Sequence, residues 1–211
     1  MRMWALVGAG LFAFFSLTGT SVSAGETADV YLSLYVLGSV PSNRGVSFQG
    51  AAISDSKVGN GVGAGIKAGV FPSIARGIIG IELEWYGHGS DITFPLMTGG
   101  GTLARTNLWV FNTMANLLVR YPGEVIIPYV GVGAGLSHGV LTSPDIPGRS
   151  DTDFETSWTL GHQFLAGVQG KLTNRLFLFG EYKYFSTNYH WTQLALDFRT
   201  QYVLAGIGLR F

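Results

Sequence analysis

From Val203 to Phe211 every second residue is apolar: Val203, Ala205, Ile207, Leu209 and Phe211. Leu204, Gly206, Gly208 and Arg210 lie between them. A period of two marks a strand with one apolar face, and here the other face is mostly small or polar. The same alternation recurs upstream. It predicts strands over residues 31–36, 61–71, 79–86, about 105–121, 126–138, 158–172 and 176–185, with 200–211 as the eighth. The third is the most distinct, with Ile79, Ile81, Leu83 and Trp85 against Gly80, Glu82, Glu84 and Tyr86. Connections alternate long and short. The long ones cover residues 41–60, 88–104, 140–157 and 186–199, and the short ones carry turn residues such as Pro122-Gly123-Glu124 and Thr173-Asn174-Arg175. An even number of strands with this alternation predicts an all-β, antiparallel, up-and-down barrel of eight strands whose two termini share one side.

The charges decide which way the barrel faces. One face carries Trp85, Trp109, Phe111, Phe164, Tyr182, Tyr184 and Phe211. The other carries Lys67, Glu82, Glu84, Arg120, Gln169, Lys171, Glu181, Lys183 and Arg210. A soluble barrel buries its apolar face and exposes its charges; a membrane barrel does the reverse. Parity alone allows either, including a lipocalin-like ligand carrier. In the membrane reading the charges lie in a narrow, side-chain-filled lumen, where an unpaired charge costs several kcal/mol, so they must pair. Lys67, Glu82, Glu84, Glu181 and Lys183 are expected as a central network. Arg120, Lys171 and Arg210 are expected as bases at the end with the short turns. Glycines at 63, 65, 69, 131, 133, 135, 206 and 208 fall on the inner face, where they leave room for the long inward side chains of Tyr, Lys and Glu from neighbouring strands.

Composition supports the membrane reading. Of 211 residues, 47% are hydrophobic and only 12% charged, about half the charged share of a soluble domain. Residues 1–24 form a separate object. Arg2 precedes an apolar run over 4–17, and Val22-Ser23-Ala24 ends in small residues. This predicts a secretory signal cleaved after Ala24, too short to span a bilayer, followed by a barrel domain over 25–211. The absence of cysteine excludes disulfides and thiolate metal sites, and 13 bases against 13 acids leave no basic field for nucleic acid.

Little in the chain suggests chemistry. His88, His138, His162 and His190 fall in or near expected loops and strand ends, and no two have metal-ligand spacing. No cofactor is expected. Glu82 and Glu84 sit two apart on one strand face beside Lys67, which points to a salt-bridge network rather than acid–base catalysis. The expected loops hold Phe48, Phe94, Phe154, Tyr189 and Trp191 among polar residues, as membrane-interface anchors or as contacts to a partner.

Four stretches occur in an order that resembles the outer-membrane β-barrel domain family, which includes opacity-type surface proteins and the transmembrane domain of outer-membrane protein A. They are Ile127-Pro128-Tyr129-Val130-Gly131-Val132-Gly133-Ala134-Gly135, His162-Gln163-Phe164-Leu165-Ala166-Gly167-Val168, Leu172-Thr173-Asn174 and Gly180-Glu181-Tyr182-Lys183-Tyr184. The resemblance implies a Gram-negative outer-membrane location, with short turns periplasmic and long loops extracellular. Outer-membrane lipid and lipopolysaccharide would surround the barrel, and the loops would be where an extracellular ligand binds. It implies that Phe211 is the signal read by the barrel-assembly machinery, and it carries no shared catalytic residues. The expected role is structural, surface-exposed or adhesive. One alternative is a lipid-A-modifying enzyme using Ser186, His190 or His162, with Ser137 and His138 behind them. Another is a narrow ion-conducting pore.

Overall fold

A computed structural model describes residues 28–48, 51–52, 57–95, 103–142, 155–191 and 194–211. The expected signal segment and its Ala24 cleavage point, like Phe154, lie outside the described residues. Eight long strands follow in order: β1 Asp29–Phe48, β2 Gly61–Phe71, β3 Ile79–Pro95, β4 Leu103–Arg120, β5 Ile126–Thr142, β6 Glu155–Lys171, β7 Leu176–His190 and β8 Leu194–Arg210. Each pairs antiparallel with the next, and β8 returns to pair with β1, from Tyr31↔Arg210 to Phe48↔Leu194. Closure removes both sheet edges, so every strand finds its backbone partners inside the wall. Two-residue segments at Ala51–Ala52 and Lys57–Val58 extend the ladder beside β1 and β3.

The faces divide as alternation requires. Leu34, Val36, Leu83, Trp85, Val132, Phe164, Val203 and Phe211 are exposed on the outer wall, while Lys67, Glu84 and Lys183 inside are at most 2% exposed. An apolar exterior around a charged interior is the arrangement of a barrel dissolved in lipid. The turns at the end that holds both chain ends of the barrel are short. Between β2 and β3 the chain makes one 3-10 turn, Ser73–Ala75, and then takes left-handed conformations at Arg76 (φ 52°) and Gly77 (φ 64°). Between β6 and β7 the Thr173 hydroxyl accepts from the backbone N–H of Arg175 and of Leu176, which closes the reversal in four residues.

At the opposite end, away from the short turns, the strands run further than the apolar alternation marks. On β7 the outward residues change from Tyr182 and Tyr184 to Ser186, Asn188 and His190, while Phe185 and Tyr189 stay buried inside. On β8 the outward Asp197, Arg199 and Gln201 face away from the buried Leu196, Phe198 and Tyr202. Above the bilayer the outside is water, so the polarity of the two faces inverts while the hydrogen-bonded ladder continues. Tyr189 and Trp191, expected as loop anchors or contact residues, are therefore fillers of the upper lumen. His88, expected in a loop, is also buried there, against Phe198 and Tyr202.

Candidate functional site

Three strands supply the central charges. β2 carries Lys67, whose cross-strand partner on β3 is Glu84; Glu82 follows one inward position lower on β3. Across the lumen, β7 carries Glu181 and Lys183. The barrel is narrow enough for these side chains to meet. Lys67 donates to both oxygens of Glu181 at 2.7 and 2.9 Å, and lies 3.4 Å from Glu82 and 3.5 Å from Glu84. Lys183 donates to Glu84 at 2.5 Å and stands 3.7 Å from Glu181. All five are buried, so hydration has been given up and only mutual pairing offsets that cost.

Three carboxylates face two ammonium groups, and neutral donors make up the difference. The hydroxyls of Tyr31, Tyr35 and Tyr129 donate to Glu82, Glu84 and Glu181 at 2.5, 2.5 and 2.7 Å. The Asn116 amide donates to Glu82 at 2.9 Å and to Glu84 at 3.2 Å, and Gln163 donates to Glu84 at 2.9 Å. Gln163 also donates to Asn116 Oδ1 at 2.7 Å, and Tyr86 donates to Gln163 at 3.1 Å. Each charged oxygen thus sits in a connected set of donors, as a buried ionic network demands.

The phenols have a specific seat. Tyr31, Tyr35 and Tyr129 pair across the ladder with Gly69, Gly65 and Gly167. A Cβ at any of these glycines would run into the phenol ring of that same tyrosine. A glycine opposite each tyrosine lets the ring lie flat on the wall and carry its hydroxyl to a carboxylate. The other inner glycines serve neighbours of different kinds. Gly133 makes room for Asn116, Gly206 for Tyr35 and Phe179, and Gly208 for Phe177. Of the Tyr, Lys and Glu side chains expected in these spaces, tyrosine is the one found among the atoms nearest to a Cβ placed at these glycines.

Above and below, the lumen is filled. Upward lie Tyr86, Tyr202, His88, Phe185, Phe198, Tyr189 and Trp191, in ring contact along the barrel. Ser137 joins Tyr189 and Asn112 by hydrogen bonds. Downward, the guanidinium of Arg120 stacks 3.7 Å over Phe71 and that of Arg210 lies 5.0 Å over Phe177. Asp29, which precedes the first strand expected from alternation, accepts from Arg120 at 2.5 Å and stands 3.9 Å from Arg210. Arg210 also donates to Gln169 at 2.6 Å. Lys171 lies apart from this cluster, exposed at the rim.

The arrangement fills the middle of the lumen with paired charges and their donors. Its carboxylates point into one another's donors. On the outer wall His138 stacks on Trp158 at 4.1 Å, an interfacial aromatic pair. Among the described residues no three His, Cys, Asp or Glu side chains could together hold a metal ion.

A protein family described as outer membrane protein beta-barrel domain matches residues 10–211. Among solved structures, Neisserial surface protein A has a TM-score of 0.57 and 15% identity, covering 88% of this chain and 100% of its own. The outer membrane protein OprG from Pseudomonas aeruginosa has a TM-score of 0.56 and 16% identity, covering 88% and 97%. At these identities the likeness concerns the fold. No curated protein matches the chain.

Proposed function

Because the chain belongs to the outer membrane protein beta-barrel domain family, and is therefore an integral outer-membrane barrel, we propose that it is a sealed structural protein that presents its extracellular end to partners. The observation that carries this reading is the lumen. Lys67, Glu82, Glu84, Glu181 and Lys183 lock across it with their phenol and amide donors, between an aromatic layer above and the Asp29–Arg120 bridge below. A barrel so filled is a rigid post. The part of such an object that is free to meet partners lies outside the membrane, where β7 and β8 turn polar residues outward, Ser186, Asn188 and His190 on one and Asp197, Arg199 and Gln201 on the other. An adhesive or ligand-holding role would lie there. In this reading the surrounding partners are outer-membrane lipid and lipopolysaccharide, and assembly depends on Phe211.

Phe211 supports its part on position. Its side chain is exposed on the lipid side, and its backbone N–H donates to Val30 at 2.9 Å, continuing the β8–β1 seam. Deleting Phe211 is expected to lower the amount of heat-modifiable barrel in outer-membrane fractions severalfold. Undiminished folded barrel in that variant would remove Phe211 from the assembly step.

A second reading has one observation in its favour. On the outer wall the β6–β7 and β7–β8 ladders place Ser186 directly between His162 and Arg199. A serine beside an imidazole, at the upper edge of the apolar belt, is the composition an acyl hydrolase acting on lipid A would need. Mass spectrometry of lipid A from a deletion strain separates the two readings. The sealed structural barrel leaves the acyl chains unchanged. A chain lost or gained, restored by the wild type but not by Ser186→Ala, would establish the enzyme.

A further inference from the structure

We propose that a dent in the outer wall over β2 to β4, at the top of the apolar belt, seats one uncharged sugar ring, stacked on Trp109 and held at its edge by Asn60, Asp91 and Asn107. The dent measures about 360 Å³ and is lined by these four residues with Val62 and Gly89. The ladder brings them together. Val62 pairs with Gly89 and Gly89 with Trp109, and one outward step further Asp91 pairs with Asn107. The Gly59 N–H donates to the Asp91 carbonyl at 2.7 Å, which ties the segment carrying Asn60 to β3. Gly89 makes the floor, because it faces outward without a side chain. The indole of Trp109 rests against it; a Cβ placed at Gly89 would lie 3.3–3.5 Å from three carbons of the ring. Trp109 is still 48% exposed, so it is fixed against the wall with part of its ring open to an occupant.

Height sets the surroundings. From Ile79 to Gly89 is ten residues of β3, about 33 Å of strand. At a tilt of about 40° this rises about 25 Å, the height of the apolar band of a membrane barrel. Val62 and Trp109 thus stand at the last apolar level, and Asn60, Asp91 and Asn107 in the polar layer above. An acyl chain in the dent would leave two amides and a carboxylate unanswered, and a wholly polar solute would leave the indole unused. A sugar ring has both sides. Its C–H face carries weak positive charge, which the negative face of an indole attracts. Its hydroxyls donate to a carboxylate and exchange both kinds of hydrogen bond with an amide. A carboxylate offers about four lone-pair sites, so Asp91 accepts from hydroxyls beside any neighbour it already serves. The volume is at the lower end for small-molecule sites, which suits a single ring. Among the lining residues Asp91 carries the one charge, and it disfavours an anionic ring. Lys57 and Arg105 lie outside the lining; register sets both against Thr93, two residues beyond Asp91. The dent is on the outer wall, so a conducting lumen would leave it unchanged, and its failure would not touch the sealed-lumen reading.

The test uses the full barrel in nanodiscs of phosphatidylethanolamine, titrated with the methyl glycosides of glucose, galactose, mannose and N-acetylglucosamine. Saturation-transfer NMR, from the protein's aromatic protons to the sugar's ring protons, reads binding. At least one glycoside should bind with a Kd on the order of 1 mM. Trp109→Ala should weaken it about tenfold, the worth of one aromatic contact. Asn60→Ala/Asn107→Ala, at two exposed positions, should weaken it about tenfold or more through two lost hydrogen bonds. That variant decides the matter should Trp109→Ala fail to give a heat-modifiable barrel. Trp158→Ala, an exposed tryptophan of β6 outside the dent, should change nothing. Adding outer-membrane glycolipid to the nanodiscs names the source. A displaced glycoside assigns the dent to sugar headgroups of the membrane itself, and an undisturbed one assigns it to a glycan arriving from outside. No glycoside binding below about 50 mM overturns the proposal. So does methyl glucuronide binding as tightly as the best glycoside, which would mean that charge and not the neutral ring is read. So does a Trp158→Ala loss matching that of Trp109→Ala, which would mean unspecific contact with the rim aromatics.

Discussion

Replacing Glu84 by alanine lowers the stability of the folded barrel by about 3–5 kcal/mol, the cost of leaving a buried partner charge uncompensated. Glu84 is where the network converges. It accepts from Lys183 and Tyr35 at 2.5 Å, from Gln163 at 2.9 Å and from Asn116 at 3.2 Å, and it stands 3.5 Å from Lys67. Removing its carboxylate leaves the Lys183 ammonium, among the described carboxylates, with Glu181 at 3.7 Å, beside the Tyr86 ring at 4.3 Å. A second substitution, Lys183→Met, should recover much of the loss, because two apolar residues need no desolvated charge satisfied. Urea unfolding in lipid vesicles, followed by tryptophan fluorescence, measures both. A loss below about 1 kcal/mol, the range of a solvent-exposed pair, would mean that the charges are hydrated and the lumen is open.

The second large effect is steric. Gly65→Val puts a branched side chain where the Tyr35 ring lies and against the Cβ of Tyr86. Overpacking of this kind costs about 1–3 kcal/mol, and displacing Tyr35 also strips Glu84 of a charge-assisted hydrogen bond worth about 1.5–3 kcal/mol. The expected sum is about 3 kcal/mol or more, by the same unfolding measurement. Gly38→Ala should be nearly silent, since no atom lies within 4 Å of a Cβ placed there. Adding Tyr35→Ala to Gly65→Val should restore the space but not the hydrogen bond, so the two changes will not add. Strictly additive losses would show that Tyr35 does not occupy the space of Gly65.

These two residues also mark how far alternation reads. Period two placed Lys67, Glu82, Glu84, Glu181 and Lys183 on one face, and an eight-stranded wall is too narrow to hold them apart. Which phenol serves which carboxylate depends on register across the ladder. Register becomes legible once Tyr31, Tyr35 and Tyr129 are set opposite Gly69, Gly65 and Gly167. A tyrosine–glycine cross-pair was the available signal. Asp29 was missed because the ladder begins two residues before the first apolar alternation at Tyr31, so a carboxylate that bridges Arg120 and stands near Arg210 reads as a leading polar residue.

The upper barrel was hidden for a different reason. The alternation that marks a membrane strand is its outward apolar phase, and that phase ends where the lipid ends. On β7 it stops at Tyr184, although Phe185, Thr187 and Tyr189 continue inward to His190. On β8 the phase begins only at Val203, although Leu196 and Phe198 are already buried. The same strand passes from a membrane pattern to the pattern of a water-soluble barrel, and only the inward phase is common to both. Reading the buried phase alone would have carried β7 and β8 to their full length and placed Tyr189 in the lumen.

The most direct measurement is the current through the purified, folded barrel in a planar lipid bilayer. A lumen closed by the Lys67–Glu181 and Glu84–Lys183 pairs, with packed aromatic layers above, should show a flat baseline across the voltage range in which lipid alone is silent. Steady single-channel steps from the wild-type protein would contradict the sealed barrel and make the narrow pore the function.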